Sequence, residues 1–138
     1  MLPELMLLGF AAWTLALLVT TVGAYRLSRV FRGRAGMGAF PADRVEGQDW
    51  YKRSMRAHAN CVENLPVFAV LVYAVRASGI VDPAVDLLCA VILAARIPQS
   101  LVHVCFVQTD RVVSVRFAFF FVQLLSFCGL IALIALRR

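Results

Sequence analysis

Charge is scarce in this sequence. Only 16% of its 138 residues are Asp, Glu, Lys or Arg, whereas 62% are apolar and the mean hydropathy is +0.81. A soluble globular domain carries about 25% charged and about 45–50% apolar residues. That gap argues against a water-soluble enzyme and against a disordered chain. Long polar stretches are missing too. Four bilayer-spanning helices of roughly 20 residues would use about 80 residues, which leaves room for one sizeable loop and no large extramembrane domain. Histidine occurs only as His58 and His103. The four cysteines (Cys61, Cys89, Cys105 and Cys128) sit singly in apolar runs, with no CxxC pair. Such spacing suits no metal, so none is expected, and the cysteines read as buried free thiols acting as small hydrophobes. Met1-Leu2-Pro3-Glu4 has no Lys or Arg ahead of the first apolar run, which is the wrong charge order for a signal peptide.

The runs that are present are long enough to span. Leu5–Tyr25 is 21 residues without a charge, Leu87–Val107 is 21 residues with Arg96 as its only formal charge, and Phe117–Leu136 is 20 residues without one. Ala57–Val75, with His58 and Glu63 inside it, reads as a further span. The breaks are Ser28–Trp50, which holds Gly33, Gly36, Gly38, Pro41 and Gly47, then Arg76–Pro83 and Gln108–Arg111. The pattern predicts an all-α integral membrane protein: a single domain over residues 1–138, built as a four-transmembrane-helix bundle. Its helices are expected at about 5–27, 50–76, 84–107 and 113–136, with a loop at about 28–49.

Net charge is +6, and eight of the fourteen basic residues fall between Arg26 and Arg56: Arg26, Arg29, Arg32, Arg34, Arg44, Lys52, Arg53 and Arg56. Positive charge directly after a first span marks a cytoplasmic loop. The first loop with Arg111 and Arg116 outweighs Arg76, Arg137 and Arg138 on the other side. Both termini are therefore expected on the non-cytoplasmic side of a bacterial inner membrane or an endomembrane. Anionic membrane lipid is a sufficient partner for part of this charge, and no nucleic acid is called for. Trp50 and Tyr51 read as interface anchors, and Phe117, Phe119, Phe120 and Phe121 as bundle and lipid contacts.

Ionisable groups inside a membrane are expensive, so they read as functional by default. At about 100° per residue, Arg53, Arg56, Asn60, Glu63 and Asn64 share one stripe of the second helix. Arg96, Gln99 and His103 share a face of the third, with Ser100 beside them. Arg26 ends the first span, and Arg111 and Arg116 precede the fourth. All of these lie toward the same leaflet. Several arginines with one carboxylate suit a ligand bearing more than one carboxylate and one amine. Pairing of Arg56 or Arg96 with Glu63 as structural glue is the alternative.

The stretch Arg53-Ser54-Met55-Arg56-Ala57-His58-Ala59-Asn60-Cys61-Val62-Glu63-Asn64-Leu65-Pro66 resembles the helix-two signature of the MAPEG family, membrane-associated proteins in eicosanoid and glutathione metabolism. The family pattern reads roughly R-x-x-R-A-x-x-N-x-x-E-N-x-P, and the resemblance is to a bacterial-type microsomal glutathione transferase. It implies a homotrimer with glutathione, as co-substrate, bound between neighbouring subunits. By position, Arg56, Asn60 and Glu63 would hold glutathione, with Arg26 supplied by the adjacent subunit. Arg53, Arg96, Gln99 and His103 are further candidates for that contact. Arg116, or alternatively Arg111, would stabilise the thiolate that attacks a lipophilic second substrate. Gln99, His103 and Phe117 depart from the prostaglandin-synthesising members, so generic glutathione transfer or peroxide reduction is implied. A lipid-presenting member without enzymatic activity is one rival, and a small multidrug-type transporter is another. The first helix has no interior acid of the kind such exporters use.

Overall fold

The computed structural model describes residues 2–41 and 45–137; Arg44 and Arg138, which entered the charge count above, lie outside the described residues. Helix α1 spans Leu2–Phe31, α2 Asp49–Ala77, α3 Pro83–Cys105 and α4 Asp110–Leu136, and each is long and apolar enough to cross a membrane. There is no strand among the described residues.

The ends of these helices are set by local chemistry. Helix α1 runs through Phe31, past the first basic residues, and stops where Gly33 adopts φ 65°. There the Gly33 N–H donates to Val30 O (3.0 Å) and the Arg34 N–H to Arg29 O (2.9 Å), satisfying carbonyls that the helix leaves open. Gly79, also at φ 65°, follows the end of α2 in the same way. Helix α3 starts at Pro83, whose missing N–H costs nothing there, and the Asp82 side chain accepts from the Ala84 N–H at 2.8 Å. Thr109 caps α4, which begins at Asp110, earlier than the uncharged run indicates. Helices α2 and α3 continue through Pro66 and Pro98.

Residues Leu18–Gly23 form a π-helical segment inside α1. Its wider turns leave carbonyls short of donors, and the Thr20 and Thr21 hydroxyls donate to Ala16 O and Leu17 O. One inserted residue rotates everything downstream by about 100°. Beyond the segment Tyr25 is buried and stacks on Tyr51 with ring centroids 4.2 Å apart. Tyr51 is only 2% exposed, so it is a packing residue rather than an interface anchor. Trp50 packs edge-on against Tyr25. Gly47, at φ 139°, closes over this pair where a Cβ would come within 2.8 Å of the Tyr25 hydroxyl.

The bundle core is aromatic. Phe10 of α1 meets Phe68 of α2 at 5.7 Å, and Phe68 meets Phe127 of α4 at 6.1 Å, with Cys61, Cys89, Ile92 and Leu130 filled in around them. Inside a bilayer such contacts stabilise by dispersion and close packing, because lipid is as apolar as leucine. Only Cys61 and Cys89 are buried; Cys105 and Cys128 are exposed on the chain surface, so the reading of all four as buried thiols holds for two.

At the end away from the long loop, Arg76 pairs with Glu4 (2.9 Å) and Arg137 with Asp82 (2.5 Å). Asp82 thus caps α3 and ties down the end of α4. Asp82→Ala is expected to lower stability by about 1–2 kcal/mol, mainly through the lost cap. Thermal unfolding in detergent measures this, and Asp82→Asn, which keeps the cap acceptor, is expected to recover most of the loss.

Candidate functional site

At the loop end of the bundle, α2, α3 and α4 enclose a cavity of about 400 Å³ lined by Arg56, Ala59, Asn60, Glu63, Gln99, His103, Arg116, Phe117 and Phe120. Helical spacing explains the convergence. Arg56, Asn60 and Glu63 follow at four and three residues on α2, Gln99 and His103 at four on α3, and Arg116 and Phe120 at four on α4. Arg116, not Arg111, reaches this cavity; Arg111 lies exposed in the first turn of α4.

A second ring of side chains behind the lining decides which atoms face inward. Arg96 is 1% exposed, and its Nη1 donates to Asn60 Oδ1. Arginine has only donors, so the amide assignment is forced and the Asn60 Nδ2 hydrogens remain without an acceptor among the described residues. Gln123, fully buried on α4, donates from Nε2 to Phe119 O (3.0 Å) and to Gln99 Oε1 (2.9 Å). The carbonyl identifies that atom as nitrogen, so Gln99 accepts with its oxygen and keeps its own Nε2 hydrogens for the cavity. Arg116 Nη1 lies 2.7 Å from His103 Nε2. Again arginine must donate, which places the imidazole proton on Nδ1 and fixes the guanidinium against the cavity wall. The lining therefore offers two guanidinium groups and two amide donors, with Glu63 as its one carboxylate.

The internal-pairing alternative does not describe this arrangement. Among the described residues neither the Arg56 nor the Glu63 side chain makes a hydrogen bond or an ion pair, and Arg96 is directed to Asn60. Arg96 has no acidic partner within the described residues; its guanidinium lies 5.1 Å from the Phe10 ring centre, and Nε and Nη2 are buried without a hydrogen bond. It supports the site through Asn60 and does not line it, contrary to its expected place among the ligand contacts.

The other candidates fall outside the cavity. Arg53 donates to Val104 O at 3.2 Å and stands with Lys52, Arg56 and Gln108 around an adjoining basic opening, which shares Arg56 with the cavity. Arg26 donates to the Tyr51 hydroxyl at 2.8 Å and lies over the Phe40 ring, away from its own chain's cavity. Asn64 bonds back to Asn60 O at 2.7 Å. Gln123, Phe117 and Phe120 were not anticipated as site residues. The signal was available, since Arg116, Phe120 and Gln123 repeat at four and three residues.

The arginine-asparagine-glutamate stripe of α2 thus coincides with the cavity, and the sequence profile of the MAPEG family matches residues 5–136, nearly the whole chain. The chain belongs to the MAPEG family. With four helices of spanning length, this MAPEG protein is a multi-pass membrane protein. Membership places it among proteins of glutathione-related transfer and lipid metabolism. No curated protein and no solved structure gives a significant match.

Proposed function

We propose that the chain is a membrane-embedded glutathione transferase, and that the donor-rich cavity with its one carboxylate holds glutathione. Glutathione carries two carboxylates, one amine and a thiol. Arg56 and the free amide hydrogens of Asn60 and Gln99 suit its carboxylates, and Glu63 suits its ammonium. The observation that carries this reading is the inward donor polarity enforced by Arg96 and Gln123 from behind.

An unperturbed thiol has a pKa near about 8.5, so little thiolate exists at neutral pH. A guanidinium beside sulfur favours the charged form. Arg116, braced by His103, takes that role. The thiolate attacks an electrophilic carbon, a C–S bond forms, and the leaving group departs with its electron pair while the thiol proton passes to water. Phe117 and Phe120 form the apolar wall against which a lipophilic second substrate packs. The same thiolate also serves peroxide reduction, taking one oxygen from the hydroperoxide and releasing the alcohol, after which a second glutathione thiol displaces water from the sulfenic acid to give the disulfide. The basic end of the bundle faces the cytoplasm in this reading. Arg26, unused by its own cavity, is available to a neighbouring subunit of a homotrimer.

Calorimetric titration of the detergent-purified protein with glutathione tests the reading. One saturable site per chain is expected. Glu63→Gln is expected to weaken it about tenfold or more, the loss of one charge-assisted contact. Because Glu63 has no partner within the described chain, its thermal midpoint is expected to stay within about a degree. Binding unchanged in Glu63→Gln, or absent in the wild type, overturns the proposal.

A further inference from the structure

We propose that Gln123 is a positioning residue for ligand specificity: it never touches the ligand, and it sets which end of the Gln99 amide the ligand meets. Gln123 is 0% exposed and lies outside the cavity lining. Its Nε2 carries two hydrogens, and both are committed. One goes to Phe119 O (3.0 Å), a backbone acceptor four residues back on its own helix. The other goes across to Gln99 Oε1 (2.9 Å) on α3.

Because Phe119 O can only accept, the Gln123 amide cannot turn over without placing oxygen against oxygen. Gln99 is locked in turn: its oxygen points away from the ligand and its two donors point toward it. Were the Gln99 amide free, its oxygen could face the cavity and repel a carboxylate. The Gln123 Oε1 itself is buried without a hydrogen-bond partner among the described residues. A buried acceptor left unsatisfied is costly, so an amide at this position is held at the expense of stability, as a residue placed for orientation would be. The ligand group selected by this device is one that accepts from donors, such as a carboxylate, and an ammonium in its place is disfavoured.

The inference rests on the glutathione reading and is separable from it. Gln123→Met keeps the volume of the side chain and removes both donors. Its Kd for glutathione, from calorimetry in detergent, is expected to rise about five- to tenfold. Gln99→Met is expected to lose a similar factor. The double variant is expected to bind no more weakly than Gln99→Met alone, because Gln123 acts only through Gln99. A merely structural role would instead add its cost to that of Gln99→Met. Gln123→Glu supplies a second variant, since a carboxyl group has at most one hydrogen and cannot serve Phe119 O and Gln99 Oε1 together; it too is expected to weaken binding at least fivefold. Wild-type affinity in Gln123→Met or Gln123→Glu, or additive losses in the double variant, overturns the inference and leaves glutathione binding standing. No binding to the wild type overturns both.

Discussion

Replacing Arg116 with alanine is expected to lower turnover with glutathione and a lipophilic electrophile by about 100-fold or more, while the Kd for glutathione changes by less than about threefold. The two halves of this expectation come from different parts of the cavity. Arg56, Asn60, Glu63 and Gln99 hold the ends of the ligand in the proposed mode, and none of them is bonded to Arg116. Arg116 is fixed by His103 Nε2 at 2.7 Å and faces the same space from α4. Removing one preorganised charge from a partly dry site typically costs a factor of about 10²–10³ in rate. The effect should appear as a raised thiol pKa in the pH–rate profile, so that activity returns as pH rises. Arg116→Lys, a point charge without the fork that reaches His103, should retain part of the rate. Equal losses in affinity and turnover would instead mark Arg116 as a general binding residue.

The second large effect is structural and begins at Asn60. Arg96 is buried in the middle of α3, where its Nη1 donates to Asn60 Oδ1 and the Cys61 thiol lies beside it, while Nε and Nη2 have no hydrogen-bond partner among the described residues. Asn60→Leu strands that charge. A buried cation that loses its partner costs several kcal/mol, and a loss of about 3 kcal/mol is expected, visible as a large drop in the thermal midpoint or in the yield of folded protein. The double variant Asn60→Leu with Arg96→Leu removes the charge together with its acceptor. It is expected to recover most of the stability, because apolar replacement of a buried polar pair is often neutral. It should not recover glutathione binding, since the Asn60 Nδ2 donors are gone. Comparable instability in the single and double variants would show that Asn60 stabilises the bundle by some route other than Arg96.

These two arginines also show what a linear reading of the chain can reach. The helices were legible because charge-free runs of span length have few other uses. The helix ends were less so: the basic residues after Tyr25 suggested a loop, whereas the chain stays helical until Gly33 can adopt a positive φ. Nothing in Leu18–Gly23 advertises a π-helical turn, and that turn sets which way Tyr25 and Arg26 face. Periodicity placed Arg56, Asn60, Glu63, Gln99 and His103 on inward faces, since a shared stripe follows from spacing alone. It could not separate a residue that lines the cavity from one that supports it. Arg96 and Gln123 are supports because of their depth and of the partners their nitrogens meet across the bundle, and both depend on how the helices dock. The apolar run that directly follows Arg116 favours it over Arg111, and the docking of α4 on α3 brings Arg116 Nη1 to 2.7 Å from His103 Nε2.

In the proposed mechanism Arg116 holds glutathione as a thiolate in this cavity, and the near-ultraviolet absorbance of the thiolate reports it directly. Glutathione titrated into the detergent-purified wild type at neutral pH should produce a saturable thiolate band, with about one thiolate per occupied site. The same titration of Arg116→Ala should give calorimetric binding without the band. A wild type that binds glutathione and shows no thiolate, or a band that survives in Arg116→Ala, would overturn this role for Arg116.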